Sequence, residues 1–242
     1  MYTFSNRLKI ASIILMAVGL VGIIGGFVMA PSTVEEAKAM VASHDDGHGE
    51  AHAEETTHPM AAADDHGASE AHDTSHDEHL LHQLQNKPWA ALYVAAFFFM
   101  MISLGVLAFY AIQRAAQAGW SPLLFRVMEG ITAYLVPGGI VVFVILLLSV
   151  LHMNHLFVWM DADVVAHDAL LQGKAGYLNP TFFLIRAAIF LGGWIAYREY
   201  SRKLSLQQDE SDDNSNFKLN FRISAAFLVF YLISESIMSW DW

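Results

Sequence analysis

One uninterrupted run of 22 residues without a charge, Gly130 to Leu151, constrains this chain more than any other feature. As an α-helix rising ~1.5 Å per residue, it is long enough to cross a bilayer core of ~30 Å. Lipid leaves few other options, because each backbone N–H and C=O must be satisfied within the segment or by protein. The run is followed directly by His152, His155, Trp159, Asp161, Asp163, His167 and Asp168. A membrane helix therefore delivers groups that titrate, hydrogen-bond or ligate metal to one membrane face.

Composition supports the same class. Of the 242 residues 55% are hydrophobic and only 15% charged, against about 25% charged in a water-soluble domain. The absence of cysteine excludes disulfides, thiolate-held zinc, iron–sulfur ligation and a thiol nucleophile within this chain. No Lys/Arg-rich patch marks a nucleic-acid footprint, so nucleic acid is not an expected partner. A P-loop, HExxH, GxSxG and a dinucleotide fingerprint are all missing, which argues against soluble-type catalysis by this chain alone.

The expected fold is an all-α integral membrane protein with five spans. The first, Ile10 to Ala30, has 21 apolar residues, more than the 7–15 of a secretory signal core, and reads as a membrane anchor; cleavage after Val28-Met29-Ala30 is the alternative. The others are 90–112, 130–151, 181–197 and 223–240. With the N-terminus inside, Arg7, Lys9, Arg114, Arg126, Arg198, Arg202, Lys203, Lys218 and Arg222 fall on the cytoplasmic side, and only Lys38, Lys87 and Lys174 on the other. This asymmetry fits strict alternation of five spans. It places both the His152–Asp168 cluster and the loop 31–88 outside.

That loop holds 13 of the 24 acidic residues and nine of the twelve histidines. With so little apolar surface, most of it is expected to be disordered. A short interfacial helix is expected over 76–86, capped by Ser75 with Glu78 and ending before Pro88. Neutral imidazoles bind zinc, copper or nickel, so the loop is either a solvated linker or a loose metal buffer. His72, His76 and His79 share a helical face only if the helix extends back beyond Ser75, and are weak metal candidates.

Other candidates are weighed one by one. His152 and His155 share a face if the third helix continues that far, where they can hold metal, hydrogen-bond a quinone carbonyl or relay a proton. They are equally the ordinary polar residues of a membrane–water boundary. Charges within a span are costly, at about 2.5 kcal/mol or more each, and usually face protein or water. Arg186 and Glu235 lie at similar depth on antiparallel neighbours, where an ion pair is geometrically possible, either as a lock or as part of a proton path. Glu129 begins the third span, where it complements the helix dipole or admits protons. Pro137-Gly138-Gly139 is expected to loosen the same helix.

The stretches HLLHQLQNKPWAALYVAAFFF (79–99), GVLAFYAIQRAAQAGWSPLLFRVMEGI (105–131), HMNHLFVWMD (152–161) and SAAFLVFYLISESIMSWDW (224–242) carry a family resemblance. The chain resembles the second NrfD-like membrane subunit of alternative complex III, a quinol:cytochrome c oxidoreductase, in its Bacteroidetes form. The resemblance covers nearly everything outside the His-rich loop. It implies an NrfD-like helical bundle in the bacterial inner membrane, a multi-pass subunit of a complex that oxidises menaquinol. Electrons would pass to cytochrome c or to a terminal oxidase. No cofactor would be bound by this chain. Haem c and iron–sulfur clusters would sit in a multihaem cytochrome c subunit and an iron–sulfur subunit, beside a first NrfD-like subunit with the quinol site. By the resemblance, proton or quinone handling would fall to the polar residues of 152–161, among them His152, His155 and Asp161, with Glu129 and Glu235; Asp163, His167, Asp168 and Arg186 are added as candidates because they lie on the same membrane side as the 152–161 cluster. Family members are about twice as long, so the resemblance implies an N-terminal fragment of a longer reading frame.

Three functions follow as expectations: a quinol- or proton-handling subunit of a respiratory oxidoreductase, a metal-handling membrane protein using the His-rich loop, and a structural scaffold. The topology is testable in this cysteine-free background. Ser75→Cys should react with a membrane-impermeant maleimide in intact cells, and Ser211→Cys only after lysis; the reverse pattern would invert the orientation.

Overall fold

A computed structural model describes residues 5–45 and 68–242, with side chains over 5–41, 81–161 and 164–242. All regular structure among the described residues is helical: α1 (Asn6–Val28), α2 (Val34–Asp45), α3 (Ala68–Ala115), α4 (Pro122–Ile131), α5 (Leu135–Val150), α6 (Ala162–His167), α7 (Ala169–Gly173), α8 (Pro180–Asp209) and α9 (Ser215–Asp241). Five stretches are long and apolar enough to cross a membrane: Asn6–Val28, Leu81–Ala115, Pro122–Val150, Pro180–Asp209 and Ser215–Asp241. The protein is an all-helical, multi-pass membrane protein. It divides into two compact units, Met1–Leu92 and Tyr93–Trp242.

In the first unit, α1 starts at a Ser5 cap that accepts from the Leu8 N–H at 3.4 Å. The helix is apolar on every side and buries none of its residues, with Leu15 72% and Met16 74% exposed. Such a helix needs lipid as its solvent. At its end the Phe27 ring meets Trp89 edge-on, centroids 4.8 Å apart. The chain then turns through Pro31, whose carbonyl accepts from Gln85 at 3.2 Å. The Glu36 carboxylate accepts from the Ser32 N–H and hydroxyl at 2.9 Å each, and the Glu36 N–H donates to Thr33 Oγ1. These bonds open α2 within the stretch where disorder is expected, and hold the Glu36 carboxyl below its ordinary pKa. Residues 46–67 lie outside the described residues. A second difference concerns Pro88, expected to follow a helix end but placed within α3. Proline removes one donor and leaves the Leu84 carbonyl without its helical partner; the ring lies alongside Gly26 instead.

In the second unit, the third span is a composite. A 3₁₀ turn, Thr132–Tyr134, joins α4 to α5. Pro137 has no N–H to offer the Ala133 carbonyl, so the ladder tightens here, where the sequence anticipates a loosening. Gly138 leaves room for the Tyr134 ring, whose edge lies 2.6 Å from where a β-carbon would stand. The span begins at Pro122 rather than near Gly130. Glu129 therefore lies in the last turns of α4, where the first-turn dipole argument fails.

The longest packing is between antiparallel α8 and α9. Buried positions follow a three- and four-residue rhythm: Arg186, Phe190, Trp194, Tyr197, Ser201 and Leu204 on α8, and Asn220, Ser224, Phe227, Ser234, Met238 and Asp241 on α9. This is the spacing of a helix–helix seam. Their turn is closed by Asp213, whose carboxylate accepts from the Ser211 hydroxyl at 2.9 Å and from the Ser215 hydroxyl and N–H at 2.8 and 3.2 Å. Gln208 spans it, donating to the Asp213 carbonyl at 2.6 Å and accepting from the Phe217 N–H at 2.7 Å.

The Ser215 and Ser211 bonds hold the Asp213 carboxyl below its ordinary pKa. A depressed folded value means that this support is fully present above about pH 4 and is lost as pH falls through the folded pKa. Protection of the Ser215 and Asn216 amides, taken relative to the intrinsic exchange rate at each pH, should fall as pH drops through the folded Asp213 pKa in the wild type. Asp213→Asn should lower that protection already at neutral pH and remove its titration.

Candidate functional site

Two polar centres are buried in the second unit, one at each end of the α8–α9 seam. The larger lies at the Lys/Arg-rich end. Glu129 on α4 is 8% exposed, and its carboxylate accepts from the Tyr110 hydroxyl at 3.2 Å and from Arg126 at 2.7 Å. The Tyr110 hydroxyl accepts in turn from Arg114 Nε at 3.1 Å and from the Ser201 hydroxyl at 3.3 Å. Arg114 also donates to the Ser205 hydroxyl at 3.1 Å, with its guanidinium 4.0 Å from the centre of the Phe125 ring. Arg126 completes the group with an ion pair to Asp209.

The arrangement is electrically closed, two guanidinium groups against two carboxylates. Near-neutrality is what allows such groups at the margin of a lipid-facing bundle, since an uncompensated buried charge is strongly unfavourable. Arg126 and Asp209 are 42% and 63% exposed, so the group touches solvent on one side. On the other it continues into the seam. The Ser201 hydroxyl lies 2.7 Å from Asn220 Oδ1, the Asn220 amide donates to the Ser201 carbonyl, Ser224 Oγ donates to the Asn220 carbonyl at 2.7 Å, and the Tyr197 hydroxyl is 2.7 Å from Ser224 Oγ. Tyr197 is stacked on Phe227 with centroids 3.8 Å apart. From Asp209 to Tyr197 is twelve residues of α8, a depth of about 18 Å.

Hydroxyls both give and accept a proton, whereas an amide carbonyl only accepts. Glu129, Tyr110 and Ser201 thus form a run along which a proton can pass, with Asn220 anchoring its inner end and Arg126 fixing the Glu129 carboxylate beside the exposed margin. Sequence reasoning found Glu129 alone of these residues. A signal for the rest was present in the four-residue repeats Ser201/Ser205 and Asn220/Ser224, small polar residues recurring on one face of apolar helices.

At the opposite end Arg186 pairs with Asp241, and the anticipated Arg186–Glu235 pair does not form. Nε and Nη2 donate to the two Asp241 oxygens at 2.7 and 2.9 Å, and Nη1 donates to the Tyr177 carbonyl at 3.1 Å. The guanidinium also lies 4.0 and 4.4 Å from the Tyr177 and Phe182 ring centres. A long arginine side chain reaches outward to the boundary, beyond the level of Glu235 to that of Asp241. Asp241 follows Ser234 by seven residues and shares its face on the seam; Glu235 is off that face. Among the described residues Glu235 has no hydrogen bond or ion pair. Burial, then a hydrogen bond to Asp241, raises the Tyr177 phenol above its ordinary pKa.

The His152–Asp168 cluster is spread out. α5 ends at Val150, and His152 adopts φ 56°, a left-handed conformation that turns the chain away from the helix axis. His152 and His155 therefore do not share a helical face, and both are exposed. Between them Asn154 is buried, with its Oδ1 2.7 Å from the Ser149 hydroxyl. Asp161 is half-buried beside the short turn Val158–Met160. Asp168 caps α7, accepting from the Leu170 and Leu171 N–H groups, and His167 is exposed at the end of α6. The side chains of Asp163, His72, His76 and His79 lie outside the described residues. Among the described residues no three His, Asp or Glu side chains gather as a metal site.

No protein-family profile matches the chain, and comparison with curated protein sequences returns no match.

The Arg186–Asp241 pair supplies a measurable difference between the two carboxylates of α9. Asp241→Ala leaves a buried guanidinium unpaired and should lower the stability of the detergent-solubilised protein by about 3–5 kcal/mol. Glu235→Gln should leave thermal unfolding within experimental error of wild type.

Proposed function

We propose that this chain is a membrane subunit of a bacterial respiratory quinol:cytochrome c oxidoreductase of the alternative complex III kind, and that it carries protons coupled to quinol oxidation. One observation carries the proton role: a buried carboxylate, Glu129, is joined through Tyr110 to Ser201 and linked by Arg126 to the exposed margin. The reading also rests on the resemblance of residues 79–99, 105–131, 152–161 and 224–242 to the second NrfD-like subunit. In it, the Lys/Arg-rich end faces the cytoplasm, as the charge asymmetry of the loops suggests. Protons would be taken up at Asp209 on the exposed margin and held at Glu129, whose charge the permanently protonated Arg126 and Arg114 balance. Redox chemistry would belong to partner subunits carrying haem c and iron–sulfur clusters, with menaquinol as substrate. The Arg186–Asp241 pair is assigned a structural role, because a bidentate pair with further donors satisfied leaves little freedom to exchange a proton.

Two measurements test this reading. The assembly purified from native membranes through a tag on this chain should contain multihaem and iron–sulfur subunits; a cofactor-free preparation would refute the complex. In that assembly Glu129→Gln and Tyr110→Phe should keep subunit composition intact and slow quinol-dependent turnover about tenfold or more, the low end of what a positioned acid–base group supplies. Unchanged turnover in both would make the network a scaffold.

A further inference from the structure

The exposed side of the α8–α9 hairpin carries a groove that the proton-handling network does not use. It is lined by Gly193, Ala196 and Tyr200 of α8 and by Ile223, Ala226 and Phe230 of α9, with Tyr197 and Phe227 as its floor, and has a volume of about 420 Å³. The small residues create the depression. A β-carbon at Gly193 would run into the Phe230 ring, and Ala196 and Ala226 are exposed on either lip. On each helix the trough spans eight residues, from Tyr200 to Gly193 and from Ile223 to Phe230, a rise of about 10 Å. It lies among the lipid-facing residues of both helices and is apolar along its length.

At one mouth the character changes. Arg222 directly precedes Ile223, and Lys203 follows Tyr200 by one helical turn on the same edge of α8. In an antiparallel pair these two positions come to nearly the same depth, on opposite lips. Both side chains are exposed, and among the described residues neither has an ion pair. The acidic residue nearest along α8, Glu199, is engaged by Arg198. Lys218, one turn from Arg222, adds positive charge at this mouth. Two unanswered cations thus stand where the apolar run ends, at the level of lipid headgroups, with an apolar trough leading away from them into the membrane.

We infer that this groove binds an acidic phospholipid, its phosphate between Lys203 and Arg222 and one acyl chain along Gly193, Ala196, Ala226 and Phe230. Charge complementarity selects this occupant. A zwitterionic headgroup brings an ammonium of its own against the two cations, and a second copy of the chain would set basic residues against basic residues. Juxtamembrane Lys and Arg attract anionic lipid, while the trough retains one molecule where a polybasic surface holds a diffuse layer.

Native mass spectrometry of the delipidated full chain, with dioleoyl-phosphatidylglycerol or dioleoyl-phosphatidylcholine added back, tests the assignment. One phosphatidylglycerol per chain should survive activation that strips phosphatidylcholine. Lys203→Gln and Arg222→Gln should each reduce the preference by about fivefold. Ala226→Phe, an exposed position that fills the trough, should weaken retention of both lipids while circular dichroism stays that of wild type. Equal retention of the two lipids, displacement by millimolar inorganic phosphate, or a second copy of the chain in place of lipid would each overturn it.

Discussion

The second unit depends on a seam between two helices that lipid alone would not hold together. In a bilayer, hydrocarbon solvates an apolar helix face as well as another helix does, so association comes from close packing and from hydrogen bonds across the interface. α8 and α9 use both. Tyr197 lies flat on Phe227 at 3.8 Å, and polar rungs recur along the seam: Arg186 with Asp241, Trp194 Nε1 with the Ser234 hydroxyl at 2.9 Å, Tyr197 with Ser224, Ser201 with Asn220. Each transmembrane hydrogen bond contributes only about 0.6 kcal/mol on average. Their number and their fixed spacing set register, because a slip of one residue would leave each rung unpaired in a medium without water.

The same requirement explains why the proposed proton site lies where it does. A carboxylate and three charged partners are tolerated at the end of the bundle because their charges cancel and because Arg126 and Asp209 reach solvent. Deeper in, the seam carries hydroxyls and one amide, then the Tyr197–Phe227 stack, while the buried Arg198 at that depth is paired with Glu199. Such a gradient is what a structure must have if protons are to be held near one face without opening the bundle to water. At the other end the single buried pair, Arg186 with Asp241, is tied to Tyr177 and ties the ends of both helices to the loop before α8.

Much of this architecture could be read from residue order. The apolar runs locate the membrane helices, although the helices extend past them. Span three begins at Pro122 rather than near Gly130, and α8 continues past Tyr197 to Asp209, because Arg, Lys, Gln and Leu remain good helix formers once outside lipid. Hydropathy measures the lipid-contacting part of a helix and is blind to its polar overhang. The local grammar of caps was legible in part. Asp168 and Asn179 open α7 and α8 with side-chain bonds to backbone N–H groups, whereas the expected cap at Ser75 lies inside α3. The pairing of His152 with His155 failed for a local reason, the left-handed turn at His152.

By itself the sequence determined that the chain is helical and membrane-spanning, where its apolar segments fall and which end of the second unit is basic; these follow from transfer free energy and local hydrogen bonding, which depend on neighbouring residues. It also held the three- and four-residue rhythm of the α8–α9 seam. Only the tertiary structure decided which carboxylate meets Arg186, that Glu129 joins Tyr110, and that Lys203 and Arg222 flank one groove. Those pairings depend on helix rotation and on side-chain reach of several ångströms, and a depth count along one helix resolves neither. Asp241 and Glu235 differ by six residues in order but by a third of a turn in direction, and direction settled the partner.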